Sequence, residues 1–532
     1  MAQNTCGTLL AHLLESYGTR HVFGIPGVHN VELYRGLWDT KIRHVSPRHE
    51  QGAGFMADGY ARATGKPGVA FVITGPGLTN IATAMGQAYG DSVPMLVIAA
   101  VNKRHQLGLG KGFLHEMPNQ RNLAAGLTAF THTLQRSSEM PDVLAAAFAV
   151  FSSGRPRPVC IEIPIDVLEE RFESDAFPSA VRQLRAPGPH PADIAAAAVL
   201  LRDAKRVMLI AGGGAQGADI AALAEKLGAA VQLTTNARGL LPPDHPQLGN
   251  FGIGKDAGRT VMNEADVVLA VGTEIGETDY DFYSTKPFAV ATKFIRIDID
   301  PRQIALGQRV DLGIVGDARL GCEALMAALA AKKRDRAWAI DAAARLSAAA
   351  ASAREPEDIL YDRLLGVIGA VNPILVGDST KAAYRAGLTY RSAQPRSFFA
   401  AGTGFGTLGY ALPAAIGAKI AHPDRPVIAL VGDGGAQFTM PELISAREAE
   451  AGIVMLVWNN QGYREIRDYM VSQEIKPIAV DPIPPDFVKT AEAMGVHGKR
   501  VASLDELAAE LKAHGPSAKA PFLIEAGPWI KE

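Results

Sequence analysis

Val427-Ile-Ala-Leu-Val-Gly432-Asp433-Gly434-Gly435 is an apolar run that breaks into a turn holding one carboxylate among glycines. Met455-Leu-Val-Trp-Asn459-Asn460-Gln461-Gly462 repeats the design with side-chain amides. Each run predicts a buried strand feeding a loop, the pattern of a parallel α/β sheet. Oxygen ligands beside a glycine-rich turn that bares its N–H groups suit a hard divalent cation clamped onto a diphosphate. Asp433 and Asn460 would bind such a metal through side-chain oxygens and Gly462 through its carbonyl, with Gly432, Gly434 and Gly435 leaving the turn open. Two ordinary turns of an α/β sheet are the plainer alternative.

Outward from this motif, short apolar runs alternate with amphipathic helical stretches along the whole chain. His21-Val-Phe-Gly, Val69 to Thr74, Met95 to Ala100 and Val159 to Pro164 read as strands of a first unit. A Pro-rich, poorly patterned segment from Phe172 to Ala192 reads as a linker. Arg206 to Ala211, Val267 to Gly272 and Phe294 to Ile299 read as strands of a second unit, which leaves through an Ala-rich helical stretch from Glu323 to Arg354. The expected organisation is three consecutive parallel-sheet α/β domains over 1–172, 190–335 and 355–532.

A chain of 532 residues is too long for one core. With a formal charge of −2 it offers no electrostatic reason to expect nucleic acid or a membrane surface as partner. Cys6, Cys160 and Cys322 lie far apart and outside any zinc spacing. The N-terminus lacks the basic stretch and apolar core of a signal peptide. No apolar run approaches the roughly 20 residues that span a bilayer. A cytoplasmic protein is expected.

Arg48-His49-Glu50-Gln51-Gly52-Ala53-Gly54-Phe55-Met56-Ala57-Asp58-Gly59 predicts a helix with Glu50 at its start, where an acid is favoured by the helix dipole alone. Further on stand Ile73-Thr74-Gly75-Pro76-Gly77-Leu78-Thr79-Asn80 and Ala88-Tyr89-Gly90-Asp91-Ser92-Val93-Pro94-Met95. With these blocks the chain resembles, over essentially its whole length, the decarboxylase and acetolactate-synthase superfamily of thiamine-diphosphate (ThDP) enzymes. The resemblance implies a pyrimidine-binding domain, a central domain and a diphosphate-binding domain, with Mg²⁺ and ThDP as cofactors. It implies too that Glu50 and the metal motif meet across one cofactor between subunits of a homodimer or homotetramer.

In this family a glutamate aligned with Glu50 bonds the aminopyrimidine ring, and a carboxylic acid held away from water can share its proton with a ring nitrogen. In Ala401-Gly-Thr-Gly-Phe-Gly406-Thr-Leu408-Gly, Leu408 aligns with the bulky residue that bends the cofactor. By itself it reads equally as a core leucine. Thr74, Gly377, Ser379, Thr380, Gly406 and Tyr463 complete the implied cofactor contacts. Phe113-Leu114-His115-Glu116 falls where relatives carry His-His or Gln-Glu beside the reacting carbon. His115 suits a proton donor, since imidazole titrates near working pH, and Glu116 would face the same carbon.

Gly212-Gly213-Gly214-Ala215-Gln216-Gly217 fits the spacing of a dinucleotide fingerprint, but Val231 to Asn236 ends without the acid that would hold a ribose. Val271-Gly-Thr-Glu274-Ile-Gly-Glu277-Thr-Asp279-Tyr-Asp281 lacks the arginine that FAD-containing acetolactate synthases carry there, which argues against FAD. This acidic segment is either a solvated loop or, with Glu116, a wall that favours a cationic substrate tail. Val28, His29, Asp279, Glu465 and Ile466 are the expected substrate neighbours. Ile466 fills the slot where pyruvate-decarboxylase relatives carry a glutamate. The chain is similar to bacterial 5-guanidino-2-oxopentanoate decarboxylases. The expected reaction is non-oxidative decarboxylation of a 2-keto acid to an aldehyde and CO₂, with acetolactate-type carboligation as the alternative.

Overall fold

The computed structural model describes residues 4–172, 184–249, 255–280, 287–329, 334–352 and 354–531. The expected linker falls mostly outside them, as does Asp281. Three six-stranded parallel sheets carry the chain. The first holds β1 (His21–Gly24), β2 (Arg43–Val45), β3 (Gly68–Val72), β4 (Met95–Val101), β5 (Phe130–Thr133) and β6 (Val159–Pro164) in the order β2-β1-β3-β4-β6-β5. The second holds β7 (Val207–Ala211), β8 (Ala229–Leu233), β9 (Leu248–Gly249), β10 (Val267–Val271), β11 (Lys293–Asp298) and β12 (Leu312–Val315) in the order β12-β11-β10-β7-β8-β9. The third holds β13 (Ile374–Gly377), β14 (Phe398–Ala400), β15 (Val427–Gly432), β16 (Val454–Trp458), β17 (His497–Arg500) and β18 (Phe522–Ala526) in the order β14-β13-β15-β16-β18-β17.

The central strands are buried along their length, save Gly432 at the end of β15, as expected of a sheet covered by helices on both faces. Contacts gather the chain into two compact units. One comprises 1–185, 405–501 and 514–529, the other 186–404, 502–513 and 530–532. Ligands of open α/β sheets sit beyond the carboxyl ends of the strands where the order reverses. In the first sheet that point lies between β1 and β3, whose ends lead to Val28 and His29 and to Thr74. In the third sheet, β15 and β16 run side by side with Gly432 opposite Trp458, so the two halves of the opening motif leave the sheet together.

Within the first unit the helix Glu50–Thr64 packs on the helix Ala411–Ala421 at backbone distance. A Cβ on Gly59 would lie 2.0 Å from the Ala414 carbonyl oxygen, and one on Gly417 2.0 Å from that of Met56. Beside this crossing, the buried Asp58 carboxylate accepts from Arg62 Nε at 2.6 Å and from the Tyr410 hydroxyl at 2.5 Å, while Arg62 also reaches Asp91 at 2.7 Å. Buried charges are tolerated when paired in this way.

One detail differs from the sequence reading. The helical stretch from Glu323 to Arg354 is two helices, Ala318–Ala328 and Ala337–Ser352. The glycine-rich turn after β7 packs backbone to backbone on the end of β10, with Gly214 N–H donating to the Gly272 carbonyl at 2.9 Å. A Cβ on Gly212 would meet Thr273 at 2.4 Å, so close packing accounts for the glycines there. Cys6, Cys160 and Cys322 are buried free thiols. Among the described residues no helix is long and apolar enough to cross a membrane.

Candidate active site

Gly432 caps the helix Asp433–Thr439, so Asp433 enters its first turn directly from β15. The side chain is buried, and its Oδ2 accepts the Gly462 N–H at 2.8 Å. Glycine is demanded on both sides of this contact. Gly462 sits at φ +137° with the Val480 carbonyl 2.5 Å from where a Cβ would be, and the Tyr463 ring lies against Gly434, 2.4 Å from its virtual Cβ.

The two asparagines diverge. Asn459 turns back into the sheet, where its Nδ2 donates to the buried Glu525 at 2.7 Å. Asn460 turns outward and places one side-chain atom 3.0 Å from the Gly462 carbonyl oxygen and 3.1 Å from Asp433 Oδ1. As amide nitrogen this atom donates to both; as carbonyl oxygen it completes three converging oxygens that a cation would reconcile. One carboxylate, one amide and one carbonyl thus fit a hard dication. The site has a single acid, consistent with the absence, among the described residues, of any cluster of three or more His, Cys, Asp or Glu able to hold a metal. Burial pushes the Asp433 carboxyl up against the pull of the surrounding N–H groups, a balance that a dication would reverse.

Glu50 opens the helix Glu50–Thr64 behind His49, whose ring nitrogen accepts the Gln51 N–H at 3.1 Å. The Glu50 side chain is 8% exposed, and its Oε2 accepts from Asn80 Nδ2 at 2.9 Å. The Thr74 hydroxyl donates to Gln120 Oε1 at 2.9 Å beside the Gly75 N–H at 2.8 Å. Thr74 therefore shapes the turn after β3 through Gln120. Asn80 and Gln120 escaped the sequence reading, although Asn80 stood in a quoted motif. A polar residue inside a helix bears no local mark of the partner it will meet.

His115 adopts φ +59°, and its ring stacks on that of His29 with centroids 5.1 Å apart. Burial, followed by the neighbouring His115, holds the His29 imidazole below its usual pKa, against a backbone bond at Leu114. Asn30 forms the loop before them, accepting the Gly27 N–H at 2.7 Å and donating to the Ile25 carbonyl at 3.1 Å. Val28 projects outward, 69% exposed. Glu116 is engaged by its own loop, accepting N–H groups of Gly110, Gly112 and Phe113 at 2.7, 2.9 and 3.0 Å. Desolvation raises its pKa, but these bonds outweigh it and hold the carboxyl below the usual range.

Leu408 is half-buried in a loop whose Thr407 hydroxyl donates to Gln87 at 2.9 Å, between Gly406 at φ +72° and Gly409 at φ +78°. Glu465 is half-buried and Ile466 49% exposed on the helix Arg464–Ser472, which Arg464 ties to the Asn460 carbonyl at 2.8 Å. In the second unit, Gly377 ends β13, the Ser379 N–H donates to Asp378 Oδ1 at 2.9 Å, and Thr380 caps the helix Lys381–Thr389. Asp279, also in that unit, lies within Coulombic reach of the buried Arg238, so this acid already faces one guanidinium.

Residues 4–123 match the family described as thiamine pyrophosphate enzyme, N-terminal TPP binding domain. Residues 194–325 match its central domain and 376–526 its C-terminal TPP binding domain. The chain belongs to the thiamine pyrophosphate enzymes, and thiamine diphosphate is the cofactor its domains bind. It is 46% identical to a probable 2-ketoarginine decarboxylase of Pseudomonas aeruginosa, over 96% of this chain and 91% of the relative. It is also 32% identical to a probable acetolactate synthase large subunit of Methanocaldococcus jannaschii, over 96% of this chain and 90% of the relative. Acetolactate synthase isozyme 1 large subunit of Escherichia coli is 31% identical over 86% of this chain and 82% of the relative.

Proposed function

We propose that this protein is a cytoplasmic, Mg²⁺- and ThDP-dependent decarboxylase that converts 5-guanidino-2-oxopentanoate to 4-guanidinobutanal and CO₂. The observation that carries the choice of reaction is the 46% identity, nearly end to end, to a relative named for that substrate. The stacked His29–His115 pair supports it, because release of an aldehyde requires a proton for the former carboxyl-bearing carbon. Asp433, Asn460 and Gly462 hold Mg²⁺, while Gly432, Gly434 and Gly435 leave the turn open to the diphosphate. Tyr463, Gly406 and Leu408 support the cofactor, with Gly377, Ser379 and Thr380 as further diphosphate contacts.

Bound ThDP supplies the carbon nucleophile and the electron sink that decarboxylation needs. Glu50, oriented by Asn80, moves a proton at the pyrimidine nitrogen. His115, with the His29 ring stacked against it, holds the proton for the product carbon. Asp279 and Glu465 offer carboxylates to a guanidinium tail, with Val28 and Ile466 as apolar flanks. The active sites form between subunits of a homodimer or homotetramer.

Incubation with Mg²⁺, ThDP and either 5-guanidino-2-oxopentanoate or pyruvate tests this reading. The expected products from the guanidino acid are CO₂ and an aldehyde in equal amounts. Acetolactate from pyruvate as the main product would overturn it in favour of a carboligase.

A further inference from the structure

Glu442 had no assigned role, yet it touches the chain segment on which activation depends. It opens the helix Glu442–Glu448, a short distance after the helix that carries Asp433, and its side chain is 1% exposed. Its Oε1 accepts the Arg48 N–H at 3.0 Å and the His49 N–H at 3.2 Å. Its Oε2 lies 3.1 Å from the same Arg48 nitrogen and accepts the Ser445 hydroxyl at 2.6 Å.

These two N–H groups immediately precede the helix and have no partner within it, so a buried carboxylate is what satisfies them. Gly52 makes the approach possible, since a Cβ there would stand 2.2 Å from Glu442 Oε1. A second grip comes from the same short helix, where Glu448 pairs with the Arg48 guanidinium. The next residue along the gripped backbone is Glu50.

We propose that Glu442 is a positioning residue for Glu50. It clamps the main chain at Arg48 and His49, and so sets where the Glu50 carboxylate stands when it meets the pyrimidine ring. The inference rests on the proton-moving role given to Glu50 above. Because Glu442 follows the Asp433 helix in the chain, the clamp also ties the activating glutamate to the element that holds metal in the same subunit. Among the described residues the Glu442 carboxylate is hydrogen-bonded to the Arg48 and His49 N–H groups and to Ser445, so its proposed action runs through the chain.

The test reads exchange of the thiazolium C2 proton for deuterium in protein loaded with Mg²⁺ and ThDP, by NMR after acid quench, beside ThDP affinity by calorimetry. Glu442→Ala should slow exchange by about a hundredfold, the scale expected when a proton-transfer group is displaced by an ångström. ThDP affinity should stay as in the wild type. Glu442→Gln keeps one oxygen for the N–H groups and should restore exchange to within about fivefold. Wild-type exchange in Glu442→Ala, or affinity falling in step with exchange, would overturn the proposal.

Where the alanine variant does not fold, Glu442→Asp decides, since it withdraws the oxygens by one methylene. Slower exchange at unchanged affinity supports the clamp, and wild-type exchange refutes it. Glu50→Gln is the parallel control. If it leaves C2 exchange intact, the role of Glu50 is wrong. Amide hydrogen exchange of residues 48–52 in the apo-protein still judges the grip of Glu442 in that event: acceleration in Glu442→Ala upholds it, and protection as in the wild type dismisses it.

Discussion

At the scale of single residues, the divergence of Asn459 and Asn460 and the twofold holding of Glu50 separate chemistry from scaffolding. Glu50→Gln should leave ThDP bound and lower decarboxylation by about a hundredfold or more, because one proton-transfer step is lost. Steady-state kinetics with calorimetry checks both halves. Asp433→Ala should do the reverse of the first half, removing the only carboxylate among the three proposed metal donors and weakening Mg²⁺–ThDP binding; cofactor retained through gel filtration would contradict the metal assignment. Glu442 gives a pH signature. Burial pushes its carboxyl up from 4.5 to about 7, against Ser445, the Arg48 and His49 N–H groups and the Arg48 charge. The folded state thus keeps its proton longer than the unfolded chain, so this group's contribution to stability declines as pH rises through that interval. The wild-type Tm should fall relative to that of Glu442→Gln between about pH 5 and about pH 8, where the amide does not titrate.

At the scale of elements, the crossing of Glu50–Thr64 on Ala411–Ala421 depends on glycines that let main chains touch. Gly59→Ala would place a methyl 2.0 Å from the Ala414 carbonyl. It should cost about 3 kcal/mol, since packed helices can separate only by disrupting the Asp58–Arg62–Tyr410 network between them. Gly366→Ala is the contrasting case. Gly366 lies exposed in the helix Pro356–Gly369 with nothing within 4 Å of its virtual Cβ, so alanine there should stabilise by about 1 kcal/mol. Thermal melts of the two variants should move in opposite directions. The buried strands read in the sequence, such as β1, β4, β6, β10 and β15, were legible to within a residue or two, because parallel strands covered on both faces are continuous apolar runs. Short or partly exposed strands such as β2, β5 and β17 carry no such run and were not legible. The division into the helices Ala318–Ala328 and Ala337–Ser352 was not legible, since the Ala-rich composition is helix-favouring throughout the stretch.

At the scale of the molecule, Glu50 and Asp433 belong to one compact unit, but the residues that hold them form separate sets. Asn80 holds Glu50, while Gly462 and Asn460 hold Asp433. If each cofactor is shared between subunits, a dimer of one Glu50→Gln chain and one Asp433→Ala chain contains one intact site and one doubly damaged site. Mixing the two inactive variants under subunit exchange should therefore restore about a quarter of wild-type turnover at random pairing. No recovery, with exchange confirmed by mass spectrometry, would place each site within a single chain.

The sequence by itself determined the α/β class, the two strand-to-loop joints that carry Asp433 and Asn460, and the acid that opens the Glu50 helix. These are local facts: strand burial, turn glycines and first-turn acids are written in consecutive residues. Only the tertiary structure decided that Asn459 turns back to Glu525, that Thr74 serves Gln120, that Glu116 serves its own loop, and that Glu442 holds the chain before Glu50. Each of those outcomes depends on a partner distant in sequence or on the direction a side chain takes at a loop. Residue order records neither, because burial and hydrogen-bond satisfaction are settled only when the elements pack.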